Sequence, residues 1–190
     1  MRGGRRPPRD FREGEGALSR APLAFATEET YHHGYNKRDR QTAYQHEVLA
    51  FSLGDEEYAL DILRIREIIK LRPVTEVPRA PAFIMGIISV RGQVLPVMDL
   101  RLRLKLRARP PTTSSRILIA TREGEAQGLL VDKVSQVVRM RDEEVEPPPP
   151  MLLGADGGEF IGGVGRPFPG SMLILLALDA VLSYGLEPRR

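Results

Sequence analysis

Side chains suited to catalysis near neutral pH are scarce in this chain. His32, His33 and His46 are its only histidines in 190 residues, all in the first quarter, and there is no cysteine. A Ser-His-Asp or Cys-His arrangement, or a His/Cys zinc set, needs such groups inside a folded body. His32-His33 stands in a polar stretch and reads as incidental rather than as a metal site. No Gly-Lys-Ser/Thr phosphate loop occurs, and the glycines at 157–158 and 162–165 lack the strand–turn–helix setting of a dinucleotide fingerprint. Two carboxylate runs remain, Asp55-Glu56-Glu57 and Asp142-Glu143-Glu144. Paired carboxylates catalyse in clefts that shift their pKa values. These runs sit at a hairpin tip and a strand edge, where solvation is the simpler role. The expectation is a protein that is not an enzyme and uses no cofactor or metal.

Binding is the chemistry left, and two charged residues stand where a partner would find them. Glu67 lies inside IREII, flanked by apolar residues. Arg91 lies in GIISVRGQVLPVMDL, between two apolar runs. Arginine suits interfaces because its planar fork grips carboxylates and carbonyls and stacks on apolar groups. Each also has a plain alternative: Glu67 as the solvent face of a strand, Arg91 as a solvated turn residue. Asp99 reads as a helix cap.

The elements that would hold them are mostly strands. Residues 86–90 and 94–98 form a hairpin around a tight turn at 91–93, where Gly92 supplies backbone freedom. Pro96 cannot donate to a ladder, so its strand is expected to be an edge there, or bulged. Residues 48–53 and 56–63 form a second hairpin around Gly54-Asp55, and 65–71 a further strand. An extended stretch at 74–81 leads to a short helix over 82–85, with Pro81 in its first turn. The alternation RLRLKL at 101–106 predicts a strand with one buried face, with a helical turn started by Asp99 as competitor. After a polar linker at 107–115, strands are expected at 116–121, 127–131 and 134–140. Residues 147–150 are four prolines. A hairpin of 160–164 and 172–178 follows, then a helix over 180–184 capped by Asp179 and ended by Gly185.

The chain repeats this rhythm. Offset by 69 positions, Ala59 meets Gly128, Leu60 meets Leu129, Ile65 meets Val134 and Lys70 meets Arg139; offset by 80, Leu95 meets Leu175 and Asp99 meets Asp179. Two similar β-subdomains of many short strands point to small barrels.

Charge divides the chain. Residues 1–46 hold nine Lys/Arg and six Asp/Glu; of totals of 28 and 25, residues 47–190 therefore keep 28 − 9 = 19 basic and 25 − 6 = 19 acidic. The Arg/Pro/Gly-rich segment 1–46 is expected to be a disordered basic tail, and 47–186 the folded domain. A neutral body without tryptophan disfavours a nucleic-acid-binding small barrel, the main rival reading. No apolar run is long enough to span a membrane, and the N-terminus lacks an apolar stretch of signal-peptide length.

At these residues the chain resembles the CheW-like family of chemotaxis coupling proteins. GIISVRGQVLPVMDLR, residues 86–101, matches the family's G-[VI]-x-N-L-R-G-x-[VI]-x-P-[VI]-x-D-L-R stretch, with Ser89-Val90 in place of Asn-Leu. FSLGDEEYALDILRIREI (51–68), GLLVDKVSQV (128–137) and MLILLALDAVL (172–182) match further blocks, with Ala59 where a glycine is usual. The resemblance implies a mostly β fold of two five-stranded SH3-like barrels packed together. It implies a non-enzymatic adaptor between chemoreceptor tips and the regulatory domain of a CheA-type histidine kinase. Such an adaptor would be cytoplasmic and recruited to membrane receptor arrays, without inserting into the membrane or binding nucleic acid. Family positions that affect partner binding fall on Ile65, Glu67, Gly86, Arg91, Gly92, Gly128, Val134 and Val137. A groove lined by Ile65, with Glu67 and Arg91 at its rim, would take a receptor's apolar residues. A CheW-like scaffold in a pathway that does not control flagella is the alternative within the family.

Overall fold

The computed structural model describes residues 44–154 and 156–184. Residues 1–43, which carry His32, His33 and nearly all of the expected tail, lie outside it, as does Gly185.

The chain builds two sheets. β1 (His46–Leu53) and β2 (Glu56–Asp61) come first. β3 (Ile65–Lys70), β4 (Ile84–Val90), β5 (Gln93–Asp99), β6 (Arg116–Arg122) and β7 (Glu125–Val131) follow. β8 (Lys133–Met140), the two-residue β9 (Val145–Glu146), β10 (Ile161–Gly165) and β11 (Leu173–Leu176) complete the set. Three short helices join them: α1 (Leu100–Arg103), α2 (Pro150–Leu153) and α3 (Leu178–Leu182). One sheet runs β3-β6-β7-β5-β4 and the other β8-β1-β2-β11-β10-β9.

The repeat explains this order. An offset of 69 carries β1 onto β6, β2 onto β7 and β3 onto β8. β4 and β5 then correspond to β10 and β11, and under that mapping 3-6-7-5-4 becomes 8-1-2-11-10. The parallel pairs β5·β7 and β11·β2 correspond as well. Each half therefore lends its first hairpin to the other half's sheet. β1–β2 completes the sheet of the second half, and β6–β7 that of the first.

Strands buried on both faces follow from this exchange. Along β6, Ile117 and Ile119 point into the core of the five-stranded sheet, while Leu118 and Ala120 enter a larger core shared with the other sheet. Along β1, Val48 and Ala50 fill the six-stranded sheet's own core, while Leu49, Phe51 and Leu53 enter the shared one. Two sheet interiors thus flank one common core, and residues alternating at period two serve both.

Three local expectations are corrected. Residues 101–106 are not a strand. Asp99 Oδ1 accepts from the Arg101 N–H at 2.9 Å and starts α1, and Leu100 and Leu104, four apart, are both buried. The alternation of arginine and leucine fits either period over so short a run. Residues 82–83 are a turn and 84–85 already belong to β4, with Ile84 N–H donating to Pro81 O at 2.8 Å, so no helix forms there. α3 begins at Leu178 after Ala177, and the Asp179 side chain makes no capping bond. Pro96 lies where its strand is locally an edge, because the β5·β7 ladder starts only at Val97.

Two arginines of the misread stretch bind the halves together. Arg101 is buried; its Nη1 meets Asp132 Oδ2 at 2.7 Å, an oxygen that also accepts from Gly54 N–H at 2.8 Å. Arg103 lies over the Phe160 ring at 4.5 Å and donates to Val181 O and Ser183 O, both at 2.8 Å, holding the end of α3.

Candidate partner-binding surface

The β4–β5 hairpin closes on two residues, both with positive φ, Arg91 at 51° and Gly92 at 82°. That turn matches the twist of the flanking strands. An arginine in this conformation costs about 1 kcal/mol, and the twisted ladder on either side holds it there. The Arg91 side chain is 76% exposed, and its Nη2 donates to Glu67 Oε1 on β3 at 3.0 Å, with Glu67 27% exposed. Arg66 Nη1 donates to Gln93 Oε1 at 3.2 Å and Arg72 Nη1 to Ser89 O at 3.2 Å. These contacts run from β3 and the residues after it to the β4–β5 hairpin, on the side where Thr75, beyond β3, also exchanges backbone hydrogen bonds with Ile87 of β4 at 2.8 and 2.9 Å.

An exposed ion pair contributes about 0–1 kcal/mol. The Arg91–Glu67 contact therefore adds little to the stability of the fold. The rigid turn fixes where the Arg91 side chain leaves the backbone.

The other expected binding residues divide by depth. Gly86 is buried at φ 145°, and a Cβ there would lie 2.1 Å from Thr75 O. Gly128 is buried, and a Cβ would lie 2.8 Å from Ile117 Cγ2. Both positions are fixed by close packing inside the sheet. Ile65 and Val134 are half-buried and pack against the shared core. Gly92 is exposed and serves the turn; Val137 is 45% exposed on β8. Glu67, Arg91 and Gly92 thus form one cluster, and Val137 stands on the other sheet.

Two concave surfaces accompany these positions. A cleft of about 640 Å³ beside the hairpin is lined by Arg66, Val94, Pro96, Glu125, Gln127 and Tyr184. One of about 550 Å³ on the six-stranded sheet is lined by Tyr44, Glu47, Ile62, Val137 and Phe168. Sequence reading missed Tyr44 and Phe168, which are 61% and 59% exposed. Tyr44 was counted with the tail, and Phe168 sits in a Gly/Pro loop without period. An aromatic between prolines was the available signal. Among the described residues no group of three or more His, Asp or Glu is placed to hold a metal ion.

Comparison with known proteins agrees with this architecture. The CheW-like domain description matches residues 47–185. The chain is 37% identical over 135 residues to the chemotaxis protein CheW of Rhizobium meliloti, covering 71% of this chain and 86% of that one. It is 31% identical over 133 residues to the chemotaxis protein CheW of Helicobacter pylori, covering 70% and 78%. The crystal structure of the scaffolding protein TtCheW from Thermoanaerobacter tengcongensis superposes with a TM-score of 0.68 at 34% identity, over 74% of this chain and 94% of that one.

Proposed function

This chain belongs to the CheW-like domain family, and from that premise we propose that it is a non-enzymatic adaptor of chemotaxis signalling, coupling chemoreceptor tips to the regulatory domain of a CheA-type histidine kinase. The reading places it in the cytoplasm, recruited to receptor arrays. The observation that carries it is the Arg91–Gly92 turn: an exposed guanidinium, held on a stiff hairpin and paired with Glu67 at 3.0 Å. An adaptor needs such a group, because a rim charge sets register and specificity while apolar contacts supply affinity. The concave surface around Val137 on the other sheet gives the second face that a protein joining two partners requires. Holding both partners in one assembly lets a change in receptor packing bias the kinase without any chemistry by the adaptor.

Pull-downs with the kinase regulatory domain and with a receptor fragment test the reading. Arg91→Glu is expected to abolish retention by one of the two, and Val137→Asp retention by the other. Retention of both partners by both variants contradicts the assignment of these faces. Ile65→Asp is a poor probe, since Ile65 packs on the shared core and its loss would unfold as well as unbind.

A further inference from the structure

The repeat pairs positions whose charges ought to correspond. In the six-stranded sheet Glu47 on β1 lies directly opposite Arg139 on β8, and the two side chains meet at 3.0 Å. An offset of 69 carries Glu47 to Arg116 and Arg139 to Lys70. In the five-stranded sheet Lys70 on β3 lies directly opposite Arg116 on β6. An opposite-charge pair in one sheet is thus a like-charge pair in the other. Directly opposed like charges destabilise a ladder.

Nothing among the described residues relieves this. The Arg116 guanidinium donates to Thr113 O and Ser115 O, and that of Arg72 to Ser89 O; among the described residues no carboxylate pairs with Lys70, Arg72 or Arg116. Glu67, the one acid of β3, is engaged by Arg91. Arg72 has its own counterpart in Arg141, which holds Glu143 and Glu144, both at 2.8 Å. The stretch 64–72, RIREIIKLR, carries four arginine or lysine residues and one acid, whereas the rest of residues 47–190 holds 19 − 4 = 15 basic and 19 − 1 = 18 acidic residues. Ile68, 43% exposed, shares the outward face of β3 with Lys70.

We propose that the β3 edge, Ile68, Lys70 and Arg72 together with Arg116, is a docking surface for an acidic protein face, whose carboxylates supply the pairing that Glu47, Glu143 and Glu144 supply in the other sheet. Ile68 receives an apolar anchor between them. The surface adjoins the Arg91 hairpin and rests on the adaptor reading, which it sharpens by giving the partner's charge. The net acidic charge of the rest of the body favours a protein over a nucleic acid, which would need a broad basic face.

The test is binding of the full chain to the kinase regulatory domain and to a receptor fragment, measured by titration calorimetry between 50 and 300 mM NaCl. Arg116→Glu copies the Glu47–Arg139 arrangement. It is expected to raise Tm by about 1–4 °C while weakening one partner roughly tenfold at low salt and flattening that partner's salt dependence. Arg72→Gln is expected to weaken the same partner about threefold without raising Tm. Opposite signs in stability and affinity separate docking from simple destabilisation. Unchanged affinity for both partners in Arg116→Glu would overturn the proposal and leave the adaptor reading standing. Failure of the unaltered chain to bind either partner would overturn both. Tight binding of a single-stranded DNA 20-mer that Arg116→Glu abolishes, with protein affinities untouched, would assign the surface to nucleic acid instead.

Discussion

Asp99 and Asp179 occupy the same place in the repeat, beside the helix that follows the last strand of each half, and they do opposite things. Asp99 is buried, caps α1 through the N–H groups of Arg101 and Leu102, and has its carboxyl pushed above the ordinary range by burial, against those hydrogen bonds. Asp179 is exposed, caps nothing, and is held below the ordinary range chiefly by its hydrogen bond from Arg64, at 2.7 Å, with Arg122 adding to it. The turns differ likewise. β4 and β5 join through two residues, Arg91 and Gly92, whereas β10 and β11 join through residues 166–172, with Phe168 and Met172 exposed. One plan serves both halves, but the five-stranded sheet presents charge from a stiff turn and the six-stranded sheet presents apolar and aromatic groups. A molecule that joins two different partners gains by having its two faces differ in this way.

The largest effect is expected where the halves are tied. Arg101→Ala strands the Asp132 carboxylate and should cost about 3 kcal/mol, a fall in Tm of roughly 6–12 °C at this size. Because the hairpins are exchanged, both sheets should still unfold in one transition. Two separate transitions by circular dichroism and tyrosine fluorescence would show the halves to be independent.

Gly128 and Ala59 are next, since they share one repeat position. Gly128→Ala forces a methyl against Ile117 and Val97 and should cost about 1–3 kcal/mol. Ala59→Gly leaves the strand looser and should cost about 1 kcal/mol. Equal losses in thermal melts would mean the two cores are packed alike.

The aspartates give a smaller effect with opposite signs. A carboxyl whose folded pKa lies above its unfolded value opposes folding once ionised. Asp99→Asn keeps an acceptor for the cap, so it should raise Tm at pH 7, and the gain should vanish as pH falls through the raised pKa. A carboxyl held low stabilises the fold above the unfolded value. Asp179→Asn should therefore lower Tm at pH 7, and the loss should fade as pH drops from the ordinary aspartate range through the lowered pKa. Tm measured from pH 2.5 to 8 separates the two; curves of the same sign would contradict the contrast.

Much of this contrast could be read in the sequence. Strand runs bounded by Gly, Pro and Asp, the cap at Asp99, and the turn at Arg91 and Gly92 are all local features. The repeat offset was legible too, because apolar identity survives in strands that share a core. The exchange of hairpins was not, since pairing between β1 and β8 or β3 and β6 depends on long-range contacts that no local pattern encodes. RLRLKL was misread because Leu100 and Leu104 fit helix spacing while residues 101–106 alternate, and only the shared core decides which period is used. Arg101 looked like a surface charge; its burial follows from Asp132, 31 positions away. The eight expected partner-binding residues mixed two kinds. Arg91, Glu67 and Val137 are presented outward, whereas Gly86 and Gly128 are fixed by lack of space. Sequence similarity alone does not separate a contact from the packing that supports it.

The central claim is that Arg91 is displayed for a partner and that its pairing with Glu67 is incidental to the fold. The direct measurement is kinase activity with receptor-bearing membranes, a CheA-type kinase and the adaptor as wild type, Arg91→Glu, or the charge swap Arg91→Glu with Glu67→Arg. The account predicts that Arg91→Glu shifts Tm by no more than about 3 °C, as expected for an exposed pair, and loses at least about tenfold in kinase control. The swap should return Tm to the wild-type value without returning control. Full control in Arg91→Glu, or its recovery in the swap, would contradict the claim and leave Arg91 as an internal contact of the hairpin.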